Sequence, residues 1–205
     1  DKAARKGAKK PKKGTYGRGR GGGAGRDGQW GAPAGSGARE GDGAMSEVRE
    51  RLEALSRLVG NTPLVAVDVT YRGRPRRVYA KAEHFNLTGS IKDRMALHIL
   101  RRARECGALA PGAPIGEATS GNTGISFSAL GTALGHRVTI FMPDWMSQER
   151  KDLIRSFGAS VRLVSAAEGG FLGSIRLSEE WAARTPGAFL PCQFENEANA
   201  EAHAT

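Results

Sequence analysis

Glu117-Ala118-Thr119-Ser120-Gly121-Asn122-Thr123-Gly124 lies between a short strand-like run, residues 114–118, and a helical pattern in which Ile125, Ala129, Leu130, Ala133 and Leu134 share one face. A strand, a polar glycine-rich turn and a helix together make an anion site. Backbone N–H groups at a helix start point outward, and the helix dipole favours negative charge there. Gly121 and Gly124 permit a tight turn and a close ligand approach. Thr119, Ser120, Asn122 and Thr123 add side-chain hydrogen-bonding groups. By itself the stretch is a generic small-anion loop.

A second turn, Thr88-Gly89-Ser90-Ile91-Lys92-Asp93-Arg94, opens another helix. Ser90 is placed to cap it, and Asp93 follows three residues on, as in a capping box. Asp93 and Arg94 read as helix-start electrostatics. Lys92 falls in the first turn, where the positive end of the helix disfavours an ammonium. A neutral amine there is what a Schiff-base lysine needs.

Outward from these turns the chain alternates. Val48, Leu52, Leu55 and Leu58 make a helical stripe ending near Gly60. Residues 64–69 and 78–84 read as strands around a basic turn at 71–77 containing Gly73 and Pro75. The Lys92 helix buries Met95, Ala96, Ile99, Leu100 and Ala103 and stops at Gly107. The unbroken apolar run 138–142 suits a parallel strand buried on both faces. Ser147 caps a helix with Leu153, Ile154 and Phe157 inward and Gly158 as its stop. A strand at 161–164, a helix at 172–184 and a short strand at 188–190 follow. Gly169-Gly170 reads as a plain loop before that helix. Alternating strands and helices predict an α/β fold, a parallel sheet with flanking helices, whose ligands bind beyond the carboxyl ends of strands. Both polar turns are strand-to-helix turns, so they are expected on one rim.

The ordered set of motifs carries a family resemblance. Gly89-Ser90-Ile91-Lys92-Asp93-Arg94, the Glu117–Gly124 stretch, Met142-Pro143 and Met146-Ser147-Gln148-Glu149-Arg150-Lys151 together resemble the cysteine synthase (O-acetylserine sulfhydrylase) family of fold-type II pyridoxal-phosphate enzymes. Gly60-Asn61-Thr62-Pro63-Leu64 is similar to that family's opening motif, and Gln193-Phe194 with Asn196, Asn199 and His203 to a later one. The resemblance covers residues 59–205. Several ordered motifs at compatible spacing are far more specific than any one.

The resemblance implies a tryptophan synthase β-like fold, with Lys92 as the Schiff-base lysine for pyridoxal 5'-phosphate. It implies that Asn122 hydrogen-bonds the cofactor's ring oxygen, and that Thr119, Ser120, Gly121, Thr123 and Gln193 hold the substrate α-carboxylate. The implied reaction is β-replacement, turning O-acetylserine and sulfide into cysteine and acetate, or thiosulfate into S-sulfocysteine. The alternative is cystathionine β-synthase or another β-elimination or replacement enzyme. The family's later Gly/Thr-rich phosphate loop and its polar group at the pyridine nitrogen are not found before Thr205. The expectation is therefore the first half of the enzyme, inactive as these 205 residues alone and a homodimer when complete.

Charge divides the chain. Formal net charge is +10, but residues 1–45 hold 11 Lys and Arg against 4 Asp and Glu, and 14 of the 29 glycines. With almost nothing large and apolar, that segment cannot offset its ordering entropy, and a disordered basic tail is expected at 1–45. Residues 46–205 then form the partial enzyme domain. Lys9-Lys10-Pro11-Lys12-Lys13 and Arg18-Gly19-Arg20-Gly21-Gly22 resemble tracts of RNA-binding proteins. A non-catalytic protein with a nucleic-acid-binding tail is thus a second alternative, though solvated tails share the pattern and nucleic acid is not the expected partner. Cys106, Cys192, His84, His98 and His136 show no metal-ligand spacing, so no metal is expected. Free thiols fit a reducing cytoplasm. No apolar run reaches membrane-spanning length.

Overall fold

The computed structural model describes residues 41–204. The expected disordered tail lies outside the described residues up to position 40. Its last five positions instead begin the first helix, α1 (Gly41–Ser56). Val48, Leu52 and Leu55 pack on the core, whereas Leu58 is exposed beyond the helix end.

Two strands, β1 (Leu64–Tyr71) and β2 (Arg74–Lys81), form an antiparallel hairpin. The turn is only Arg72-Gly73, both with positive φ, +50° and +72°. That geometry matches the right-handed twist of paired strands. The broad turn expected at 71–77 is thus corrected. Pro75 lies inside β2, opposite Thr70, which a two-stranded sheet tolerates because each strand keeps a free edge. Every hairpin residue is exposed, including Val65, Val67, Val69 and Val78.

The main sheet is parallel, in the order β3 (Ile115–Ala118), β4 (Val138–Pro143), β5 (Ser160–Val164). An isolated parallel bridge between Ile115 and Phe189 replaces the short strand expected at 188–190. α2 (Lys92–Glu105), α3 (Asn122–Ala133) and α4 (Gln148–Ser156) pack side by side, and α5 (Gly170–Arg184) covers the sheet. The period of two sorts the strand residues. A Cβ at Gly131 of α3 would meet Ile115 and Val138, while one at Gly116 would lie 2.4 Å from the Trp181 ring of α5. Met95, Ile99, Leu100, Phe127, Leu130, Ile140 and Met142 form the centre of the core. Burying each contributes about 1.5–3 kcal/mol. Of the three apolar residues expected inward on α4, Ile154 is fully buried, Phe157 packs at the edge, and Leu153 is exposed. A final helix, α6 (Ala198–Glu201), lies against α2. No helix among the described residues is long and apolar enough to cross a membrane.

Candidate active site

Lys92 opens α2, half-buried, with its backbone N–H donating to Ser90 Oγ at 3.1 Å. Ser90 thus accepts a first-turn N–H, but the N-cap position is Ile91 and carries no side-chain cap, so the cap expected at Ser90 lies one residue off. Among the described residues the Lys92 side-chain nitrogen has no hydrogen-bond or ion-pair partner. Asp93 departs from the capping-box reading. Its side chain is fully buried and turns away from Ser90. Its carboxyl oxygens accept from Thr88 N (2.6 Å), Thr88 Oγ1 (2.5 Å) and Ser126 Oγ (2.6 Å). Ser126 stands one turn into α3, so Asp93 ties the start of the Lys92 helix to the start of the Asn122 helix.

Arg94 likewise does more than balance a helix dipole. Its guanidinium donates to both Glu83 oxygens, at 2.7 and 3.0 Å, and to Thr62 at 3.1 Å. Thr62 and Asn86 also donate to Glu83, and Asn86 accepts from Gly60 N. The Arg94 guanidinium holds the Glu83 carboxyl down at about 2. This network fastens the residue 60–62 loop beside α2.

The Thr119–Gly124 turn continues from β3, whose ladder ends with Thr119 N donating to Phe141 O. Gly121 N donates to Thr119 Oγ1 at 3.2 Å, and no side chain caps α3. The first α3 amides are thus left facing water or a ligand. The two glycines serve different ends. Gly121 has extended backbone, φ −170°, and a Cβ there would meet only Arg150 Nε at 3.7 Å. A Cβ at Gly124 would lie 2.6 Å from Thr119 Cγ2 and 3.1 Å from Ile140 Cγ2. Gly124→Ala is therefore expected to push Thr119 out of place and cost about 1–3 kcal/mol in urea denaturation. Unchanged stability would remove that steric argument.

The side chains expected to hold the cofactor ring and the substrate carboxylate fall into two layers. Ser120 and Asn122 are exposed, with no side-chain partner among the described residues. Thr119, Thr123 and Gln193 are buried, at 3%, 4% and 6% exposure. Thr123 Oγ1 donates to Gln193 Oε1 at 2.7 Å, and Gln193 Nε2 donates to Glu117 Oε1 (3.4 Å) and Ala118 O (3.3 Å). A distant sequence motif thus arrives beside the loop. A depression of about 400 Å³ lined by Gln193, Phe194, Glu195, Asn196 and Asn199 adjoins this layer and shares only Gln193 with the predicted site.

Glu117 lies in β3, at the head of the motif. It is 4% exposed; Oε1 also accepts from Ala118 N, and Oε2 is buried without a partner among the described residues. Burial pushes its carboxyl up to about 8, against the hydrogen bonds from Gln193 and Ala118. Between its ordinary 4.5 and about 8, the unfolded chain is ionised there and the native chain is not. Stability therefore falls as pH rises through that window and levels off above it. Relative to Glu117→Gln, the wild-type protein is expected to lose a few kcal/mol between pH 5 and 8 in urea denaturation. Parallel pH profiles for the two would refute this.

Residues 55–205 match the family model described as pyridoxal-phosphate dependent enzyme. The chain belongs to that family. Among similar proteins, a probable cysteine synthase of Bacillus subtilis (strain 168) is 40% identical over 146 residues, 71% of this chain and 47% of the relative. A hydrogen sulfide-producing enzyme from Fusobacterium nucleatum is 56% identical, with a TM-score of 0.73 over 76% of this chain and 46% of that one. A cysteine synthase from Entamoeba histolytica is 36% identical, with a TM-score of 0.66 over 73% and 45% of the two chains. The chain spans about half the length of these relatives.

The family's cofactor, pyridoxal phosphate, needs an amine, a ring contact and a phosphate cradle. The unengaged Lys92 nitrogen, the unengaged Asn122 side chain and the uncapped start of α3 fit the first two. Gly169-Gly170 does not fit the third. Gly169 (φ +100°) precedes α5, but a Cβ at Gly170 would lie 2.4 Å from the Trp145 ring, so the indole already fills that space. The turn is packed, as the sequence suggested. Among the described residues no cluster of His, Cys, Asp and Glu could hold a metal ion. The sequence reading missed Ser126, Glu83 and the part played by Glu117. A serine one turn into a buried helix, and an acid in a strand buried on both faces, were the available signals.

Proposed function

We propose that the protein performs β-replacement on a serine-derived amino acid, converting O-acetylserine and sulfide to cysteine and acetate. The observation that carries this reading is the Asp93–Ser126 hydrogen bond at 2.6 Å. It joins the start of the Lys92 helix to that of the Asn122 helix, so the free amine and the anion loop lie on neighbouring elements. The family membership and the cysteine synthase relatives support the same reading.

In this reading Lys92 holds the cofactor and moves the proton at the substrate Cα. Pyridoxal phosphate, when bound, supplies an electron sink for charge developing at that carbon. Asn122 hydrogen-bonds the cofactor ring oxygen. Thr119, Ser120, Gly121, Thr123 and Gln193 orient the α-carboxylate, with the uncapped α3 amides adding donors. The substrates are small molecules, with thiosulfate a possible second sulfur donor. The complete enzyme is a homodimer of the cytoplasm, and residues 1–44 are dispensable to it.

A second reading is favoured by the 56% identity to a hydrogen sulfide-producing enzyme. The same groups would then act on cysteine, with sulfide as the leaving group rather than the nucleophile. The test uses full-length protein with pyridoxal phosphate. Cysteine formation from O-acetylserine and sulfide supports the first reading, and faster sulfide release from cysteine supports the second. Added homocysteine tests the cystathionine β-synthase alternative. No turnover with any of them would refute β-replacement.

A further inference from the structure

We propose that Glu117 is a positioning residue that sets the amide of Gln193, and through it the hydroxyl of Thr123, for the substrate carboxylate. The proposal rests on the reading above that Gln193 and Thr123 hold that carboxylate.

The amide orientation is determined by its neighbours. Ala118 O only accepts, so the NH2 group of Gln193 faces it, 3.3 Å away. The second N–H reaches Glu117 Oε1 at 3.4 Å, which leaves Gln193 Oε1 to take the Thr123 hydroxyl at 2.7 Å. Both amide donors and the Thr123 proton are thus committed inside the protein. A carboxylate gains Gln193 only if an N–H turns outward. The two donor bonds are long and the accepted one is short, so the NH2 end is the part that gives way.

What it gives way from is Glu117. A ligand carboxylate is a charged acceptor and competes well against a neutral carboxyl oxygen. It does not compete well against an ionised Glu117, already in place and equally charged. Ionised Glu117 would also repel the ligand. The burial of Glu117, with Oε2 partnerless, keeps it in the neutral form that releases Gln193. A second titratable group within electrostatic reach of Glu117 is the Cys192 thiol, on an exposed residue, which partial burial of the thiol and the Glu117, Glu195 and Glu179 carboxyls push upward. That thiol stays neutral across the range in question. Its register partner on β4 is the apolar Ile140, and the α3 residue linked to it through Gln193 is the uncharged Thr123.

The test has two readouts. In the protein, side-chain amide NMR signals of Gln193, assigned by their loss in Gln193→Ala, are followed from pH 6.5 to 9.5. In the full-length cofactor-loaded protein, L-alanine binding is followed by cofactor absorbance over the same range. The expected result is a Gln193 shift with a midpoint near 8, as burial sets for Glu117, and alanine affinity falling about tenfold through it. Glu117→Gln, which cannot ionise, should abolish both steps. Glu117→Leu should weaken binding at every pH. Gln193 signals indifferent to pH, or wild type and Glu117→Gln binding curves of the same shape, would overturn the proposal. If Gln193 titrates as expected but no amino acid perturbs the cofactor, the control of Gln193 by Glu117 stands and the carboxylate reading is what fails.

Discussion

Replacing Lys92 with alanine is expected to abolish covalent attachment of pyridoxal phosphate to the full-length protein and to reduce turnover by roughly 10²–10⁴-fold from lost proton transfer alone. The argument starts from position. Lys92 is the first residue of α2, its backbone held by Ser90, and its side-chain nitrogen is uncommitted among the described residues. The nearby lysines are differently placed. Lys81 donates to the Thr62 carbonyl, and Lys151 donates to Asp144 O at 2.6 Å. Both amines are engaged in holding the fold. Borohydride trapping followed by peptide mapping should therefore find the cofactor on Lys92. A label on Lys81 or Lys151, or full retention of cofactor by Lys92→Ala, would show the assignment to be wrong. Stability should change little, because no hydrogen bond or ion pair of the Lys92 side chain among the described residues is removed.

Asp93→Ala is expected to do the opposite, costing roughly 3–5 kcal/mol of stability. The substitution leaves the buried Ser126 O–H and the half-buried Thr88 N–H and O–H without their acceptor. The Ser126 hydroxyl, fully buried, loses its hydrogen bond without regaining water. The loss is a large part of the 5–15 kcal/mol that holds a typical domain together. It also severs the link between α2 and α3, so Lys92 labelling should fall as well. Asp93→Asn keeps one acceptor oxygen and should be milder. Urea denaturation of the three proteins checks the order. Wild-type stability in Asp93→Ala would mean the network contributes nothing.

These two neighbours show what was legible in sequence. Lys92 could be singled out because its setting is local: Ser90 two residues before it, and a helix whose buried stripe of Met95, Ile99 and Leu100 repeats every three to four residues. Asp93 has the same local setting, and there the local rule misled. Its carboxyl could have gone back to Ser90, but Ser126, 33 residues away, competes for it. The glycines divide in the same way. Gly124 is required by a contact inside its own turn, whereas the space in front of Gly121 is bounded by Arg150 from α4. The two polar turns do lie side by side, but not on the rim of one sheet as expected. The strand before the Lys92 turn belongs to the separate hairpin sheet, and the two turns meet through helix packing instead.

By itself the sequence determined the strands and helices, the two polar helix starts and the residues that line them. Those features rest on capping, glycine placement and hydrophobic period, each written within a few consecutive residues. Only the tertiary structure decided that Asp93 binds Ser126, that Gln193 reaches across 70 residues to Thr123, and that Glu117 is sealed from water. Pairings of that kind depend on where the packing of α2 on α3, and of the residue 190–196 segment on β3, sets one segment against another. Burial, which raises the Glu117 carboxyl, is a property of everything around a residue and of nothing in its own stretch of chain.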